Sequence, residues 1–439
     1  MKKNLILKAI VLTLSLSLFS PLTTTCYAAT STTKTETGVQ GLPEISAESA
    51  LVMDLETGEI IYCKDADSKR YPASTTKLLT GLLFAEKKQP TDELEYTKSA
   101  KIQPEYSLNI NYMHNTMQAG DKVLADDIMK GLLLFSGNDT AYVIADNISG
   151  DSTAFADLMN KRAKELGASS SNFVTPNGLH DPNHYTTAYD LSLITKAAFA
   201  NEWERKTMEL QKAPITLKTK ILMLENRNLG LGRNGNIAGK TGTTDQAGGC
   251  LATVYDRDGR QLIGIILKDR QINPSDMAKF DDMDSIMNYS YAASKVTYKS
   301  NGENVGTADV QYKPFIVFGP TKTITAPIKL TQDVSYYKNT INDAESKITY
   351  NGTDSSAWSL LSNKNTKLTY STRNHTEEVT GAVDISLGAI IKDNLIIYIS
   401  TLVAIVIIIT LVALIKNMAS SSRRKKNHYN HRPKKRRRY

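Results

Sequence analysis

The sequence predicts an α+β fold: an antiparallel sheet with a helical insertion, then a small all-β domain and a C-terminal transmembrane helix. Three observations lead to this prediction. Strand patterns come first and last in residues 44–295, with helical patterns between them. From about residue 298 the pattern changes to short runs rich in Thr, Tyr and Val. Residues 395–415 form an apolar run of 21 residues without a charge.

The amino terminus has the order of residues that is typical of a secretory signal peptide. Two early lysines precede a mostly apolar run at residues 10–19, and the small residues Ala28 and Ala29 follow. We therefore expect a signal peptide at residues 1–29 and a polar linker at 30–43. A retained amino-terminal anchor is the alternative, although the run is shorter than the roughly 20 residues that span a bilayer.

The apolar run at residues 395–415 is long enough to cross a membrane. A buried core helix is the alternative, but core helices usually keep a polar face, which this run lacks. The segment 416–439 follows with eleven Lys or Arg and no acid, which fits the positive-inside rule. The prediction is a single-pass membrane protein with a cytoplasmic carboxyl terminus and the preceding domains outside.

The positive charge lies at the two ends of the chain. Removing the eleven basic residues of the tail and the three lysines of the signal region from the net charge of +8 leaves −6 for the segment between them. The basic composition therefore does not indicate nucleic-acid binding. We expect the tail to set topology and to contact anionic lipid headgroups, with a specific partner as the alternative.

Cys63 and Cys250 are the cysteines that would remain after signal cleavage. They could pair only if their Cα atoms lay within about 7 Å. We favour unpaired, buried thiols. Neither the cysteine spacing nor the six histidines follow a metal-ligand pattern.

The strand and helix patterns can be followed along the chain. Residues 49–54 and 59–64 indicate a hairpin around Gly58, and Pro72 precedes a helical pattern. Thr187 and Asp190 have the spacing of a capping box. The remaining predictions are helices at 122–135, 139–148, 152–166 and 187–200, and a late hairpin of 249–255 and 261–268 joined by Asp258-Gly259.

The first candidate motif is Ser74-Thr75-Thr76-Lys77, just inside the predicted start of a helix. Positions i and i+3 share one helical face, so the hydroxyl and the amine can meet. A lysine can take the proton of a serine if burial and a nearby cation keep the amine neutral. Alone, an S-x-x-K match is common, and an exposed helix start would explain it.

The second motif, Ser136-Gly137-Asn138, lies in the joint between two predicted helices. There the hydroxyl could relay a proton to a leaving amine, and the amide could hold a substrate backbone group. The alternative is a helix cap, because Ser136, Asn138 and the following Asp139 are all good N-cap residues.

The third motif, Lys240-Thr241-Gly242, lies on a strand pattern that begins near Asn236. A lysine and a hydroxyl on one strand edge can receive a carboxylate, and Gly242 lets a substrate backbone approach closely. The alternative is an ordinary surface lysine at the end of a strand.

Together the motifs occur in the order S-x-x-K, S-x-N, K-T-G, each on the type of element that its chemistry requires. This set, with S-D-N as its middle member, is typical of penicillin-binding proteins and class A β-lactamases. From about residue 44 to 270 the chain resembles the low-molecular-mass penicillin-binding proteins, specifically the serine-type D-alanyl-D-alanine carboxypeptidases. Residues 175–179 and 184–190 resemble the family's loop beside the active site.

The resemblance implies a β-lactamase/transpeptidase-like catalytic domain at residues 44–295. The β domain at 298–388 carries no cluster of catalytic residue types, so we expect it to be a spacer above the membrane. It implies Ser74 as the nucleophile that forms an acyl-enzyme and Lys77 as its base. The other implied site residues are Ser136 for proton relay, Asn138 for positioning, Lys240 with Thr241 as carboxylate clamp, Gly242 for close approach, and the N–H groups of Ser74 and Thr243 for the oxyanion.

The implied activity is removal of the terminal D-alanine from peptidoglycan stem pentapeptides, in cell wall biogenesis and the maintenance of cell shape. β-Lactam antibiotics would be covalent inhibitors, and no metal or organic cofactor would be needed. The enzyme would sit in a bacterial cell membrane with its catalytic domain outside.

Rival functions differ in the fate of the acyl group. A class A β-lactamase is disfavoured, because residues 165–190 hold no E-x-x-L-N pattern and Gly137 stands where those enzymes have aspartate. A transpeptidase of the same superfamily, which passes the acyl group to an amine, remains an alternative. A β-lactam sensor or wall-binding scaffold without turnover is another, although intact motifs disfavour a scaffold and the short tail disfavours a sensor.

Overall fold

A computed structural model describes residues 41–104, 106–271, 277–352 and 355–429, with side chains up to Ser421. The predicted signal peptide and most of the linker lie outside the described residues. So do the side chains of the basic tail beyond Ser421 and the whole of residues 430–439.

The first region runs from residue 49 to residue 292 and alternates strands with helices. Its strands are β1 Ser49–Asp54, β2 Ile60–Lys64, β3 Glu93–Glu95, β4 Lys122–Leu124, β5 Lys212–Leu217, β6 Lys220–Glu225, β7 Asn236–Thr244, β8 Gly248–Arg257 and β9 Arg260–Asp269. Its helices are α1 Lys77–Lys87, α2 Lys98–Lys101, α3 Leu108–Asn111, α4 Ala125–Lys130, α5 Asn138–Ser149, α6 Ser152–Glu165, α7 Ala188–Ala200, α8 Glu202–Met208 and α9 Ala278–Ala292.

The central sheet of this region is antiparallel and has the order β2-β1-β9-β8-β7. The first strands of the chain therefore pair with the last ones of the region, and the helices between them form an insertion. Both predicted hairpins are confirmed, β1 with β2 and β8 with β9. This topology brings β7, with the third motif, to one edge of the sheet.

Strand β1 is buried along its whole length because both faces of the sheet are covered. Successive side chains of a strand point to opposite faces. Accordingly, Leu51 and Met53 join the core formed with the helical insertion, whereas Ala50 and Val52 join a second core on the other face. Helix α9 covers that second face with Phe280, Met283, Ile286 and Met287.

A second region, called the β region below, runs from residue 296 to residue 383 and has its own apolar core. The strands are β10 Val296–Lys299, β11 Asn304–Tyr312, β12 Lys322–Leu330, β13 Val334–Tyr336, β14 Lys347–Tyr350, β15 Asn365–Ser371 and β16 Thr376–Val383. Two helices, α10 Thr340–Glu345 and α11 Ala357–Ser362, lie between them. Five strands form one antiparallel sheet in the order β11-β12-β16-β15-β14. The Thr- and Tyr-rich runs are thus strands, as predicted.

The chain then continues into helix α12 Leu387–Asp393 and the long helix α13 Leu395–Tyr429. Within α13, Leu395–Ser421 is long and apolar enough to cross a membrane, and none of its most apolar stretch is buried by protein. The helix goes on for fourteen residues beyond the predicted end at residue 415.

Some local predictions were wrong. The helix predicted at 122–135 begins as strand β4, which pairs with β3, and ends as the π-helical turn Gly131–Phe135. The hairpin of β5 and β6 was not predicted, nor was α9. The helices predicted at 139–148, 152–166 and 187–200 are confirmed within one residue at each end as α5, α6 and α7. The helical pattern after Pro72 is confirmed as α1, which a 3-10 turn precedes.

Candidate active site

Ser74 lies in a short 3-10 turn, Ala73–Thr76, that leads directly into helix α1. Ala73 has a φ of 47°, an unusual backbone angle for a residue with a side chain. Gly178 allows this geometry, because a Cβ atom there would lie 2.0 Å from the Ala73 carbonyl oxygen. The turn that presents Ser74 is thus held in an uncommon conformation by the loop packed against it.

Lys77 is completely buried, and its amine reaches back to Ser74. Nζ donates hydrogen bonds to the Ser74 Oγ at 2.9 Å, to the Asn138 Oδ1 at 3.1 Å and to the Asn177 carbonyl at 2.8 Å. The spacing of three residues in S-x-x-K thus produces the contact expected from one helical face.

Burial is the main reason why the pKa of Lys77 falls from 10.5 to about 7. The Arg227 guanidinium lowers this pKa further, and the Asp139 carboxyl opposes the shift. A large fraction of Lys77 is therefore neutral near pH 7. A neutral amine at 2.9 Å from a hydroxyl can accept its proton, which is how a serine becomes a nucleophile.

Ser136 follows the π-helical turn Gly131–Phe135 and has a φ of 71° in the left-handed region. Such turns inside helices are frequent at functional sites. Helix α5 then begins with Gly137 as its N-cap, without a side-chain capping bond, so the cap interpretation of this motif was wrong. The turn instead brings the buried side chains of Ser136 and Asn138 to the two lysines of the other motifs.

Asp139 was considered only as a cap, and its buried carboxylate anchors a neighbouring segment instead. It accepts hydrogen bonds from the backbone N–H groups of Leu108 and Asn109, each at 3.0 Å, and from the Tyr96 hydroxyl at 3.1 Å. Burial raises the pKa of Asp139, and these donors oppose the shift. They therefore favour the ionised form and fix the segment around Leu108 against the start of helix α5.

Lys240 lies on strand β7 and is 1% exposed. Its Nζ donates to the Ser136 Oγ at 2.9 Å and to the Thr241 carbonyl at 2.8 Å. Burial lowers the pKa of Lys240 well below its usual range, and the positive charges of Lys77 and Arg227 lower it further. A carboxylate arriving beside Lys240 would raise this pKa and favour the charged ammonium.

Gly242 is where the sheet edge meets the turn of Ser74. A Cβ atom at Gly242 would lie 2.9 Å from the Ser74 backbone nitrogen and 3.0 Å from that of Thr75. A side chain at this position would therefore displace one element from the other. Thr243 follows on β7, and its hydroxyl donates to the Gln271 Oε1 at 2.8 Å.

A cleft of about 680 Å³ opens between β7 and the helical insertion. Its wall contains Ser74, Ser136, Asn138, Thr241, Gly242 and Thr243. Lys77 and Lys240 lie behind this wall and contact it through their amines. All eight predicted site residues are thus brought together, and their chemical roles remain predictions.

Two residues of the site were not identified from the sequence. Arg227 also lines the cleft, where its guanidinium lies over the rings of Tyr106 at 4.5 Å and Phe135 at 4.6 Å. His184 was only part of a quoted loop, yet its Nδ1 accepts hydrogen bonds from the N–H groups of Val174 and Thr175. The His184 Nε2 must then carry the hydrogen, which it donates to the Thr76 Oγ1 at 2.9 Å.

Other predictions near the site can also be compared with the structure. The Thr187 hydroxyl accepts from the Asp190 N–H, which is half of a capping box. Within the described residues the other half is absent, because the Asp190 carboxylate instead accepts hydrogen bonds from the N–H of Ser170 and the hydroxyl of Ser171. Cys63 and Cys250 are unpaired as expected, but Cys63 is only partly buried.

Curated relatives match about half of the chain or somewhat more. D-alanyl-D-alanine carboxypeptidase DacF of Bacillus subtilis is 30% identical over 50% of this chain and 57% of its own length. D-alanyl-D-alanine carboxypeptidase DacC of Escherichia coli is 30% identical over 63% of this chain and 66% of its own length. The chain thus spans less than two thirds of either relative.

Solved structures resemble the first region. A D-alanyl-D-alanine carboxypeptidase from Mycobacterium tuberculosis has a TM-score of 0.54 and 26% identity, over 59% of this chain and 96% of its own. Penicillin-binding protein D2 of Listeria monocytogenes, in an ampicillin-bound form, has a TM-score of 0.50 and 27% identity over 56% and 98%. A Streptomyces K15 DD-transpeptidase mutant has a TM-score of 0.50 and 28% identity over 57% and 100%.

These neighbours confirm the predicted fold class, with an antiparallel sheet around a helical insertion. The sequence profile of the S11 peptidases, described as D-alanyl-D-alanine carboxypeptidase, matches residues 33–271, which include all three motifs. The chain therefore belongs to the S11 family of D-alanyl-D-alanine carboxypeptidases.

Proposed function

We propose that this protein is a serine-type D-alanyl-D-alanine carboxypeptidase in which Ser74 is the nucleophile and Lys77 its base. The observation that carries the proposal is the buried Lys77 amine, which has a pKa of about 7 and lies 2.9 Å from the Ser74 Oγ. General bases work best when their pKa is close to the working pH. Membership of the S11 family supports the same activity.

The proposed substrate is the peptidoglycan stem pentapeptide, which ends in D-Ala-D-Ala with a free carboxylate. Lys240 and Thr241 would bind this carboxylate, and Asn138 would hold the peptide backbone. The N–H groups of Ser74 and Thr243 would stabilise the oxyanion, a contribution of about 3 kcal/mol per donor in other enzymes. The close approach at Gly242 supports this part, because it brings β7 against the Ser74 backbone.

In the first step Ser74 Oγ attacks the carbonyl carbon of the penultimate D-alanine while Lys77 takes the hydroxyl proton. The C–N bond then breaks, and Ser136 relays the proton held by Lys77 to the leaving amine, so that free D-alanine departs and Lys77 is neutral again. Water hydrolyses the resulting ester and restores the Ser74 hydroxyl. The proposal involves only residues of this chain and water.

A β-lactam would follow the first half of this path. Its strained amide would acylate Ser74, and the leaving amine would stay attached to the acyl group through the opened ring. The ampicillin-bound Listeria protein, which shares the fold, supports β-lactam binding by this chain.

We further propose the location and the domain boundaries. The apolar stretch of α13 would anchor the protein in a bacterial cell membrane. The basic tail would lie in the cytoplasm, and the enzyme would act outside the cell in cell wall biogenesis. The proposed segments are a signal peptide 1–29, a linker 30–43, a catalytic domain 44–295, a β domain 298–388, a transmembrane segment 395–415 and a tail 416–439.

The test uses the full chain in detergent with a fluorescent penicillin and with diacetyl-lysyl-D-Ala-D-Ala. We expect labelling and release of D-alanine over many turnovers, and neither with Ser74→Ala. The matched control is Ser31→Ala, because residues 31–34 repeat the tetrapeptide Ser-Thr-Thr-Lys outside the described residues. Loss of labelling in the control, or its persistence in Ser74→Ala, would overturn the assignment of the nucleophile.

A transpeptidase is the second candidate function, favoured by the likeness to a Streptomyces K15 protein titled a DD-transpeptidase. It shares the acylation step and differs in the acceptor, which is an amine instead of water. Adding glycylglycine to the peptide assay separates the two. Transfer of the acyl group to glycylglycine in preference to water would favour the transpeptidase, whereas labelling without turnover of any peptide would favour a sensor.

A further inference from the structure

The tip of the loop between strands β11 and β12 consists of four consecutive apolar residues that face solvent. This apolar tip, Phe315 to Phe318, has exposed fractions of 39%, 65%, 63% and 74% in chain order. Large apolar side chains are rarely left together on a surface that meets only water.

The tip is also a tight turn with an unusual sequence. Phe315 and Phe318 pair across it through backbone hydrogen bonds of 3.1 and 3.4 Å, with Ile316 and Val317 between them. Turns of this kind favour Asn, Asp or Gly at the central positions. Ile316 instead adopts a φ of 65°, which is costly for a β-branched residue. Neither the turn geometry nor solubility in water accounts for this choice of residues.

The tip is attached to the first turn of the apolar helix α13. The rings of Phe315 and Tyr398 pack edge to face with their centroids 5.4 Å apart. The Tyr398 hydroxyl donates a hydrogen bond of 2.8 Å to the Pro314 carbonyl. Tyr398 is three residues beyond Leu395, where the candidate span begins, which corresponds to about 4.5 Å along a helix axis. The tip therefore lies beside the end of the span.

Other exposed apolar residues lie just before and at the start of the candidate span. Leu387, Ile391 and Leu395 are spaced four residues apart through α12 and into α13, and are exposed by 51%, 41% and 50%. The Lys322 amine lies 2.7 Å from the Asp393 carboxylate at the junction of the two helices. Lysines and tyrosines beside an apolar surface are typical of the lipid headgroup level.

We propose that the apolar tip inserts into the bilayer leaflet next to the β region and forms a second membrane contact beside the span. This inference depends on the proposed transmembrane helix and not on the catalytic activity. The occupant of the surface is lipid, because the patch is continuous with the helix that would already lie in the bilayer.

Such a contact would limit tilting of the β region about the helix. The β region is in turn linked to the first region through its α10 segment, where the side-chain amides of Asn339 and Asn342 donate to the Ile60 carbonyl, each at 2.9 Å. Insertion of the tip would therefore help to set the height and orientation of the cleft above the membrane.

The test reconstitutes the full chain in phosphatidylcholine–phosphatidylglycerol vesicles that contain lipids brominated near the headgroup end of the acyl chain. Phe318→Trp is compared with Ile221→Trp, a residue of strand β6 with a similar exposed fraction, 72% against 74%. Both variants keep the native Trp203 and Trp358, so the added emission is obtained by difference from wild type. Labelling by fluorescent penicillin checks that each variant is folded.

We expect the emission added by Phe318→Trp to be blue-shifted and reduced at least two-fold by the brominated lipid, and that added by Ile221→Trp to be unaffected. Vesicle flotation tests the span independently. A chain that floats but shows no quenching of Phe318→Trp overturns the inference alone, whereas a chain that does not float overturns the transmembrane helix as well. A blue shift that occurs without quenching and increases with the protein-to-lipid ratio would indicate that the tip packs against a second copy of the chain. That result would also overturn the inference.

Discussion

The Lys240 amine donates a hydrogen bond to the Ser136 hydroxyl across 2.9 Å, and this buried contact joins strand β7 to the turn before helix α5. The amine's bond to the Thr241 carbonyl holds it against the strand at the same time. The second and third motifs therefore form one hydrogen-bonded unit on the cleft wall. Replacing either Lys240 or Ser136 should therefore disturb both the carboxylate binding proposed for Lys240 and the proton relay proposed for Ser136.

Ser136→Ala is expected to lower the rate constant of acylation by fluorescent penicillin by about 100-fold or more, because proton transfer by a positioned group contributes roughly 10²–10⁴-fold. The control is Ser290→Ala, which deletes a buried hydroxyl bonded at 2.7 Å to the Ile286 carbonyl in α9. That variant should react like wild type. Equal rates for the two variants would exclude proton relay by Ser136.

The acylation rate constant should depend on pH through Lys77. The amine accepts a proton only when it is neutral, so the rate constant should rise as the pH increases through about 7, the pKa of Lys77. Arg227→Gln removes a cation that lowers this pKa, so the midpoint should move to higher pH. The measurement is the rate of penicillin labelling between pH 5 and pH 9.

Arg257→Gln provides the control for the pH profile, because Arg257 also lies over an aromatic ring, that of Tyr291 at 4.5 Å, but does not line the cleft. Its midpoint should match that of wild type. A midpoint of Arg227→Gln that stays in place, or moves to lower pH, would contradict the role of Lys77 as base.

His184 should make the stability of the protein depend on pH. Burial, with a smaller contribution from the neighbouring His180, lowers the pKa of His184 from 6.5 to about 4, so the folded protein keeps the imidazole neutral. The unfolded chain binds the proton first, and the stabilisation is therefore complete above pH 6.5 and is lost as the pH falls towards 4. A shift of this size corresponds to about 3 kcal/mol.

The free energy of unfolding of the full chain in detergent, compared between wild type and His184→Gln from pH 4 to pH 8, measures this effect. The advantage of wild type should shrink as the pH falls. His114→Asn replaces an exposed imidazole of a different loop and serves as the control. If wild type exceeds His184→Gln in the free energy of unfolding by the same amount over this range, His184 is not held neutral with Nδ1 accepting two hydrogen bonds.

The site illustrates which features could be predicted from sequence. Each motif is short and lies on one element, so its internal geometry follows from helix or strand periodicity, as in the Ser74–Lys77 contact. The position of Arg227 depends on tertiary packing over Tyr106, which is far from it in sequence, and no local pattern encodes that contact. His184 likewise acts through backbone groups of a folded loop.

The elements missed in the fold have a different explanation. The alternation of buried and exposed residues in β5 is visible in Ala213, Ile215 and Leu217, so this strand was readable from the sequence. Helix α9 also has apolar residues at helical spacing, Phe280, Met283 and Met287, with acidic residues between them, so it too was readable from the sequence. The π-helical turn at Gly131–Phe135 leaves no periodic signal, because it continues the apolar run of the helix before it.

Burial raises the pKa of the Glu204 carboxyl group, and Glu204→Gln should therefore stabilise the protein increasingly as the pH rises. The side chain is completely buried on α8, and neither carboxyl oxygen has a hydrogen-bond partner within the described part of the chain. Burial, with a contribution from Glu86, raises the pKa of Glu204 well above 4.5. The contribution of Glu204 to the stability of wild type is thus greatest below pH 4.5 and falls above it, by up to about 1.4 kcal/mol per pH unit.

The measurement is the free energy of unfolding of the full chain in detergent at pH 4.5, 6 and 7.5, expressed as Glu204→Gln minus wild type. Glutamine has nearly the same shape but cannot ionise, so this difference should grow with pH. Glu202→Gln on the same helix is the control, because Glu202 is 70% exposed and paired with Lys206. A difference for Glu204→Gln that does not change with pH, or that follows the control, would show that Glu204 ionises in the folded protein without cost.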